Sequence, residues 1–129
     1  MSERNPWPKL SGEGYLIAIF YLAREQSRTL TESQVFGLLD KLRHDGMPEY
    51  ESKFEVNVLG DLQGLRARRF IEEVSGYSRA KQEQKFPDYY RFSPSISTKK
   101  LEYAKKIIAK LPELCIKTIG KELKHPNHL

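Results

Sequence analysis

Two groups of basic side chains in the second half of the sequence have the residue types and spacing for binding an anionic partner. They are Arg66, Arg68 and Arg69, followed by Arg79, Lys81 and Lys85. Arginine offers a planar fork of N–H donors that matches a phosphate group, and lysine offers a point charge. In the competing interpretation, one of the first three arginines pairs with Glu72 or Glu73 and the other cations are only solvated. The pattern indicates phosphate contacts, with a solvated basic surface as the alternative.

The charge of the chain is divided unevenly between its two halves. Residues 1–60 hold 7 Lys/Arg and 9 Asp/Glu, a net charge of −2, whereas residues 61–129 hold 15 and 8, a net charge of +7. Together they give the formal net charge of +5. Because phosphate contacts supply much of the affinity for nucleic acids, the basic half favours double-stranded DNA as the partner.

Side chains that would carry catalysis or hold a metal ion are sparse. The histidines are His44, His125 and His128. The chain contains no G-x-S-x-G motif, no glycine-rich phosphate loop and no paired metal-ligand motif. Cys115 lies on an apolar stripe and is expected to be a buried, inert thiol. We therefore predict a protein that is not an enzyme and uses neither cofactor nor metal.

Composition indicates a globular chain from a reducing compartment. Hydrophobic residues make up 39% and charged residues 30% of the 129 residues, which is enough apolar material for a core. The single cysteine rules out an internal disulfide. The longest apolar run is residues 15–23, whereas about twenty residues are needed to cross a bilayer as a helix. We expect a cytoplasmic protein that is not inserted in a membrane.

The elements that must position the basic groups begin with two helices. Apolar residues recur with helical spacing over residues 13–26, after an N-terminal arm at residues 1–12 whose prolines block a helix. Thr31 and Gln34 form a T-x-x-Q capping box at the start of the second helix. Gly46 is placed to end that helix in the left-handed conformation.

A third helix is predicted after a connecting loop. Residues 47–56 suit a loop that ends in a short strand at 54–56, and Asn57 is a suitable N-cap for the helix. The apolar residues of this helix recur with spacings of four and three as far as Leu65. The helix must be held by tertiary packing, because its two glycines each weaken it by roughly 1 kcal/mol.

Two short strands, residues 70–74 and 89–93, follow the third helix. In the second strand Tyr90 and Phe92 point to one side, which is the alternation of a half-buried strand. The insert between the strands, residues 75–88, holds the second basic group. It is longer than an ordinary hairpin turn, and long loops are often functional.

Two amphipathic helices follow the hairpin and precede a short tail at residues 125–129. Ser97 or Thr98 is placed to cap the first of them, which runs to about Leu111, and Pro112 suits the first turn of the second. Apolar stripes alternate with lysines on both helices. This predicts packing against the domain or against a partner subunit, with the lysines in water.

The order of these elements resembles the winged helix-turn-helix superfamily, in particular transcriptional regulators of the MarR and PadR types. The resemblance is carried by LTESQVFGLLDKL, VLGDLQGLRARRFIEEV and YYRFSPS, and it covers about residues 13–97. A helix that runs directly into an edge strand, with the pattern L-x-x-L-x-x-R-x-F-I-E, is typical of this family. The resemblance implies a mainly α fold with a small β-hairpin, in which a winged-helix domain is followed by a C-terminal helical segment at residues 98–124 that dimerises.

The function that the resemblance implies is a DNA-binding transcriptional regulator that acts as a homodimer. Its third helix would enter the major groove, and its hairpin tip would follow the neighbouring DNA backbone. Asn57 and Gln63 are assigned to base edges. The residues assigned to phosphates are Arg66, Arg68, Arg79, Lys81 and Lys85.

A winged-helix module that binds another protein, without direct contact to DNA, is the alternative function. The helical pattern places Asp61 on the exposed face of the third helix, where a carboxylate close to phosphate is usually repulsive. The spacing of Gly60 and Gly64 would let another backbone approach this helix closely. An RNA-associated or phage-type accessory protein is a third interpretation.

Overall fold

The chain is mainly helical, with a small antiparallel sheet. The computed structural model describes residues 7–8, 10–48, 50, 54–74 and 89–124. The helices are α1 (Gly12–Glu25), α2 (Glu32–His44), α3 (Phe54–Ala67), α4 (Thr98–Lys110) and α5 (Glu113–Lys124), and the strands are β1 (Leu30–Thr31), β2 (Ile71–Val74) and β3 (Tyr89–Phe92). None of these helices has the length and apolar content that a membrane span needs.

The starts of α2 and α4 are fixed by the caps that the sequence predicts. The hydroxyl of Thr31 accepts a hydrogen bond from the Gln34 backbone N–H at 3.1 Å, and the Gln34 side chain accepts one from the Thr31 N–H at 2.8 Å. This is the predicted capping box, which satisfies two N–H groups that the helix itself cannot pair. At α4 the cap is Ser97, whose hydroxyl accepts from the Lys100 N–H at 3.3 Å.

The start of α3 differs from the prediction. Residues Phe54–Val56 form the first turn of α3 and not a short strand, so Asn57 lies inside the helix and is not its N-cap. The reason is tertiary packing of Phe54, whose ring lies 5.7 Å from that of Phe36 and 6.1 Å from that of Tyr50. Contacts of this kind outweigh a local strand preference, which is weak in a three-residue stretch.

The three strands form one antiparallel sheet in the order β1-β3-β2. In β3, Tyr90 and Phe92 are buried while Arg91 is exposed, so the predicted alternation is confirmed. The sequence did not predict β1, because two residues carry no periodicity. Leu30 of β1 pairs with Tyr90 and joins the sheet to the start of α2.

The first three helices end in the same way, through a hydrogen bond from a backbone N–H to the carbonyl five residues earlier. The donor and acceptor residues are Arg28 and Ala23, Met47 and Leu42, and Phe70 and Leu65, each pair at 2.9 Å. The residue before each donor has a positive φ, which is 54° at Ser27, 117° at Gly46 and 66° at Arg69. These are the features of a Schellman motif, in which glycine is the usual left-handed residue. Gly46 confirms the prediction for α2, whereas α3 ends on an arginine.

The C-terminal helices pack on the rest of the chain. Their buried residues belong to the same hydrophobic core as the buried face of α1. They are Ala104, Ile107, Leu111, Cys115, Ile119 and Leu123. The guanidinium of Arg28 donates to the backbone carbonyl of Leu123, close to the end of α5. The sequence allowed the apolar stripes of these two helices to pack against the domain or against a partner subunit. Packing against the domain is present within a single chain.

Candidate nucleic-acid interface

The outer face of α3 is formed by small or uncharged residues. Val56, Gly60, Gln63 and Ala67 are exposed and recur with helical spacing opposite the buried side of the helix. We call these four residues the outward stripe. Val56 is 68% exposed, which is unusual for a large apolar side chain. Within the described residues nothing lies within 4 Å of a Cβ built on Gly60, so a partner can approach the helix backbone there.

Asp61 lies on a different side of α3 from the predicted one. It is half-buried, and its carboxylate accepts a hydrogen bond of 2.5 Å from the hydroxyl of Tyr50. A Cβ on Gly12 would lie 2.6 Å from the same carboxylate, which shows how closely α1 approaches. The prediction that Asp61 faces a partner is therefore wrong, and the outward stripe carries no carboxylate.

Gly64 has a role within the chain. A Cβ at this position would lie 2.7 Å from a carboxylate oxygen of Glu13 in the first turn of α1. The neighbour at Gly64 is the end of the Glu13 side chain and not a backbone, so the backbone approach that the Gly60-x-x-x-Gly64 spacing predicts stays a prediction. Only Gly60 of the two is open toward solvent among the described residues.

The three arginines at the end of α3 diverge. Arg66 forms an ion pair of 3.2 Å with Glu73 of β2, and Arg68 pairs with Glu13 of α1. Arg69 forms no ion pair with any residue that the structure describes. The three arginines therefore do not form one clamp for a phosphate. One of them, Arg66, pairs with Glu73, as the competing interpretation of the sequence expected.

These ion pairs lie at the surface and are easily exchanged. The side chains of Arg66 and Glu73 are 45% and 27% exposed, so water and salt screen their attraction. Exposed ion pairs contribute only about 0–1 kcal/mol to stability. A phosphate oxygen can replace the carboxylate as acceptor at little cost, and the pairs meanwhile hold the guanidinium groups in position.

The other predicted contact residues are placed as follows. Gln63 lies at the centre of the outward stripe, and Asn57 is exposed between that stripe and the side of α3 that faces α1. The remaining three, Arg79, Lys81 and Lys85, lie outside the described residues.

A cluster at the junction of α3, β2 and α4 was missed by the sequence analysis. The ammonium group of Lys100 donates to the backbone carbonyl of Arg68 and lies 5.4 Å from the centre of the Phe70 ring. The ring of Tyr103 lies 6.2 Å from the same ring. The sequence placed Lys100 among the solvated lysines, because only the folded chain brings α4 to the end of α3.

An open cleft lies beside this junction, at the root of the hairpin. Its volume is about 620 Å³. It is lined by Arg66, Arg69, Ile71, Glu72, Glu73, Ser93 and Ser95. We call it the hairpin-root cleft. Its lining combines cations, carboxylates and hydroxyl groups, which suits a polar, charged ligand.

Two buried side chains have raised pKa values. Burial, followed by the nearby carboxylate of Asp45, raises the pKa of the Cys115 thiol to about 12. Cys115 is buried, as predicted, and is protonated at neutral pH, which makes it a poor nucleophile. Burial and the hydrogen bond that the Tyr90 hydroxyl donates to Glu32 at 3.0 Å raise the pKa of Tyr90. In the described ranges no group of three or more His, Cys, Asp or Glu side chains is arranged to hold a metal ion.

Comparison with known proteins gives no match for this chain, whether with protein-family models, curated proteins or solved structures.

Proposed function

We propose that this protein is a DNA-binding winged-helix protein, a transcriptional regulator that places α3 in the major groove. The order of helices α1, α2 and α3, followed by the hairpin of β2 and β3, agrees with the winged helix-turn-helix arrangement that the sequence resembles. Three residues separate the end of α3 at Ala67 from the start of the hairpin at Ile71. Because this connection is short, α3 and the hairpin would contact the same side of a DNA duplex.

The observation that carries this proposal is the composition of the outward stripe. The major groove is about 12 Å wide and admits an α-helix whose outer face is not bulky or acidic. Gln63 is long enough to make a two-point contact with adenine, and Val56 suits the methyl group of thymine. Gly60 lets the helix backbone approach the base edges. The carboxylate of Asp61 lies on another side of α3, where it accepts a hydrogen bond from the Tyr50 hydroxyl. No carboxylate of the outward stripe therefore faces the phosphates.

Phosphate contacts on both sides of α3 complete the proposed interface. Arg66 lies toward β2 and Arg68 toward α1, so the two guanidinium groups flank the helix. Each exchanges its surface carboxylate for a phosphate oxygen on binding. Arg79, Lys81 and Lys85 are the proposed contacts of the hairpin tip with the neighbouring backbone.

A homodimer through the C-terminal helices remains part of the proposal. The apolar stripes of α4 and α5 are buried against α1 and α2, so a second copy would contact other residues of these helices. Tyr103 and Leu114 are each 51% exposed and are the large apolar side chains available there. Sedimentation of the Leu114→Glu variant tests this contact, and a mass equal to that of the wild-type chain would remove Leu114 from the interface.

The central experiment is a salt titration of binding to random-sequence duplex. DNA binding predicts an affinity that falls steeply with salt, because phosphate contacts release counterions. Arg66→Gln should weaken binding to all sequences alike and lower the salt slope by about one. Gln63→Ala should instead alter the preference among sequences, and Gln26→Ala, an exposed glutamine at the end of α1, is the matched control. No binding to any duplex at low salt would overturn the proposal.

Protein docking is a second candidate, favoured by the exposure of Val56 and the absence of charge on the outward stripe. The replacement Val56→Thr keeps the shape of the side chain and exchanges one methyl group for a hydroxyl group. Under protein docking it should weaken capture of the partner independently of salt. Under DNA binding it should leave the salt slope unchanged and affect thymine-containing sites only.

A further inference from the structure

We infer that the hairpin-root cleft binds a phosphate group, with Arg69 as its principal cation. The inference does not depend on the placement of α3 in DNA, because it rests on the residues of the cleft alone. The phosphate can belong to a nucleic-acid backbone or to a small phosphorylated molecule.

Among the described residues, one cation of the cleft has no carboxylate partner. Glu72 pairs with Arg91 at 2.5 Å, and Glu73 pairs with Arg66 at 3.2 Å. Each carboxylate of the lining is therefore matched by an arginine. Arg69 has no carboxylate partner among the described residues. Counting Arg91, which lies outside the lining, three arginines therefore face the two described carboxylates, and Arg69 is the cation left for an anion to neutralise.

The backbone at Arg69 points to the same conclusion. Its φ of 66° lies in the left-handed region that disfavours a side chain with a Cβ. At the equivalent position of α2 the chain has glycine, which avoids this penalty. Residues in strained backbone conformations cluster at functional sites, and among the described residues Arg69 has no carboxylate that would explain its position.

Hydroxyl groups supply the remaining donors that a phosphate needs. Ser93 is only 5% exposed, and its hydroxyl lies 3.4 Å from that of Ser95, so that one of the two is the donor. The backbone N–H of Ser93 donates to the carbonyl of Phe70 at 2.9 Å, which fixes the serine beside the end of α3. Arg69 and the serine hydroxyls can then share the oxygens of one phosphate. A volume of about 620 Å³ leaves room for the rest of a phosphorylated molecule.

The test uses the full chain and two probes, inorganic phosphate and a short random-sequence duplex. Backbone amide shifts are followed by NMR during a phosphate titration. The wild-type protein should show saturable shifts confined to the cleft, at Arg69, Ser93 and Ser95. The variant Arg69→Gly removes the cation and accepts the left-handed backbone, and its affinity for phosphate should fall at least tenfold while the fold is retained.

Two variants provide matched controls. Lys110→Gln removes an exposed cation from the far end of α4, and Ser27→Gly relieves the same backbone conformation at the end of α1. Both should bind phosphate as the wild type does. Absence of saturable shifts in the wild type, or equal phosphate affinity in Arg69→Gly, would overturn the inference.

The duplex arm distinguishes the two sources of phosphate. If duplex displaces inorganic phosphate and Arg69→Gly weakens duplex binding, the ligand is a backbone phosphate. If phosphate binds in the cleft while duplex affinity is unchanged by Arg69→Gly, or while duplex does not bind at all, the ligand is a small phosphorylated molecule. All three of these results support the phosphate site. Phosphate binding in the cleft without any duplex binding would remove the proposed DNA-binding function and leave the phosphate site in place.

Discussion

The C-terminal ends of α2 and α3 share a backbone conformation and differ in the residue that adopts it. Gly46 ends α2 with a φ of 117°, and Arg69 ends α3 with a φ of 66°. In both, the following N–H donates to the carbonyl five residues earlier at 2.9 Å. Glycine is the residue that this geometry favours, and the arginine in its place agrees with the phosphate-binding role that we infer for its side chain.

The surroundings of the two ends agree with this distinction. A Cβ on Gly46 would lie 2.8 Å from the indole nitrogen of Trp7, so Trp7 covers the end of α2. Tyr15 holds the neighbouring Pro8 in place by donating to its carbonyl at 2.9 Å. The end of α3, in contrast, opens into the hairpin-root cleft. One end therefore serves packing, and the other presents a cation.

The largest expected effect is at the packed end. Gly46→Ala should lower the free energy of unfolding by about 2 kcal/mol or more, because alanine disfavours this φ and its methyl group meets Trp7. Urea denaturation measures the loss. Gly37→Ala is the matched control, since Gly37 lies inside α2 with nothing described within 4 Å of the new methyl group. It should stabilise the protein by roughly 0.5–1 kcal/mol. A similar loss in both variants would contradict the distinction.

A smaller effect is expected from the contact that caps α3. Lys100→Met removes the ammonium group that donates to the Arg68 carbonyl and should cost about 1 kcal/mol. Lys99→Met, one residue earlier and exposed, should change the stability by less than about 0.5 kcal/mol. Thermal unfolding of the two variants side by side makes the measurement. Equal unfolding temperatures would show that the contact does not stabilise the end of α3.

The smallest effect on stability is expected at the open end. Arg69→Gly should leave the free energy of unfolding unchanged or raise it by up to about 1 kcal/mol, because relief of the left-handed conformation opposes the added entropy of the unfolded chain. Ser27→Gly should behave in the same way. A loss of more than about 1 kcal/mol at Arg69 alone would mean that its side chain stabilises the fold, contrary to the comparison.

Much of the fold follows from local rules, which is why it was predictable. The capping box of Thr31, the left-handed Gly46 and the alternation of Tyr90 and Phe92 depend on residues close together in sequence. The first turn of α3 was predicted wrongly because the ring of Phe54 is fixed by aromatic partners from two other segments. Strand β1 was missed because its pairing with β3 is entirely nonlocal.

The candidate site was less predictable, because the orientation of a side chain depends on neighbours that the sequence does not identify. Gln63, which was assigned to base edges, is exposed on α3, whereas Asp61, which helical spacing placed on the exposed face, is half-buried. The difference is the hydroxyl of Tyr50, which lies eleven residues before Asp61 and draws its carboxylate toward α1. The hairpin-root cleft joins residues of α3, β2 and the segment after β3, so no single stretch of sequence could indicate it.

The position of β2 at the edge of the described sheet has a consequence for self-association. β2 pairs with β3 on one side, and in the described ranges no strand lies on its other side. An open strand edge of this kind can pair with the edge of a second molecule and join the two sheets. Glu72 and Glu73 lie on this short strand, each in an ion pair with an arginine. Charged side chains on an edge oppose the addition of another strand. The charged side chains beside the cleft therefore also disfavour strand addition at this edge of the sheet.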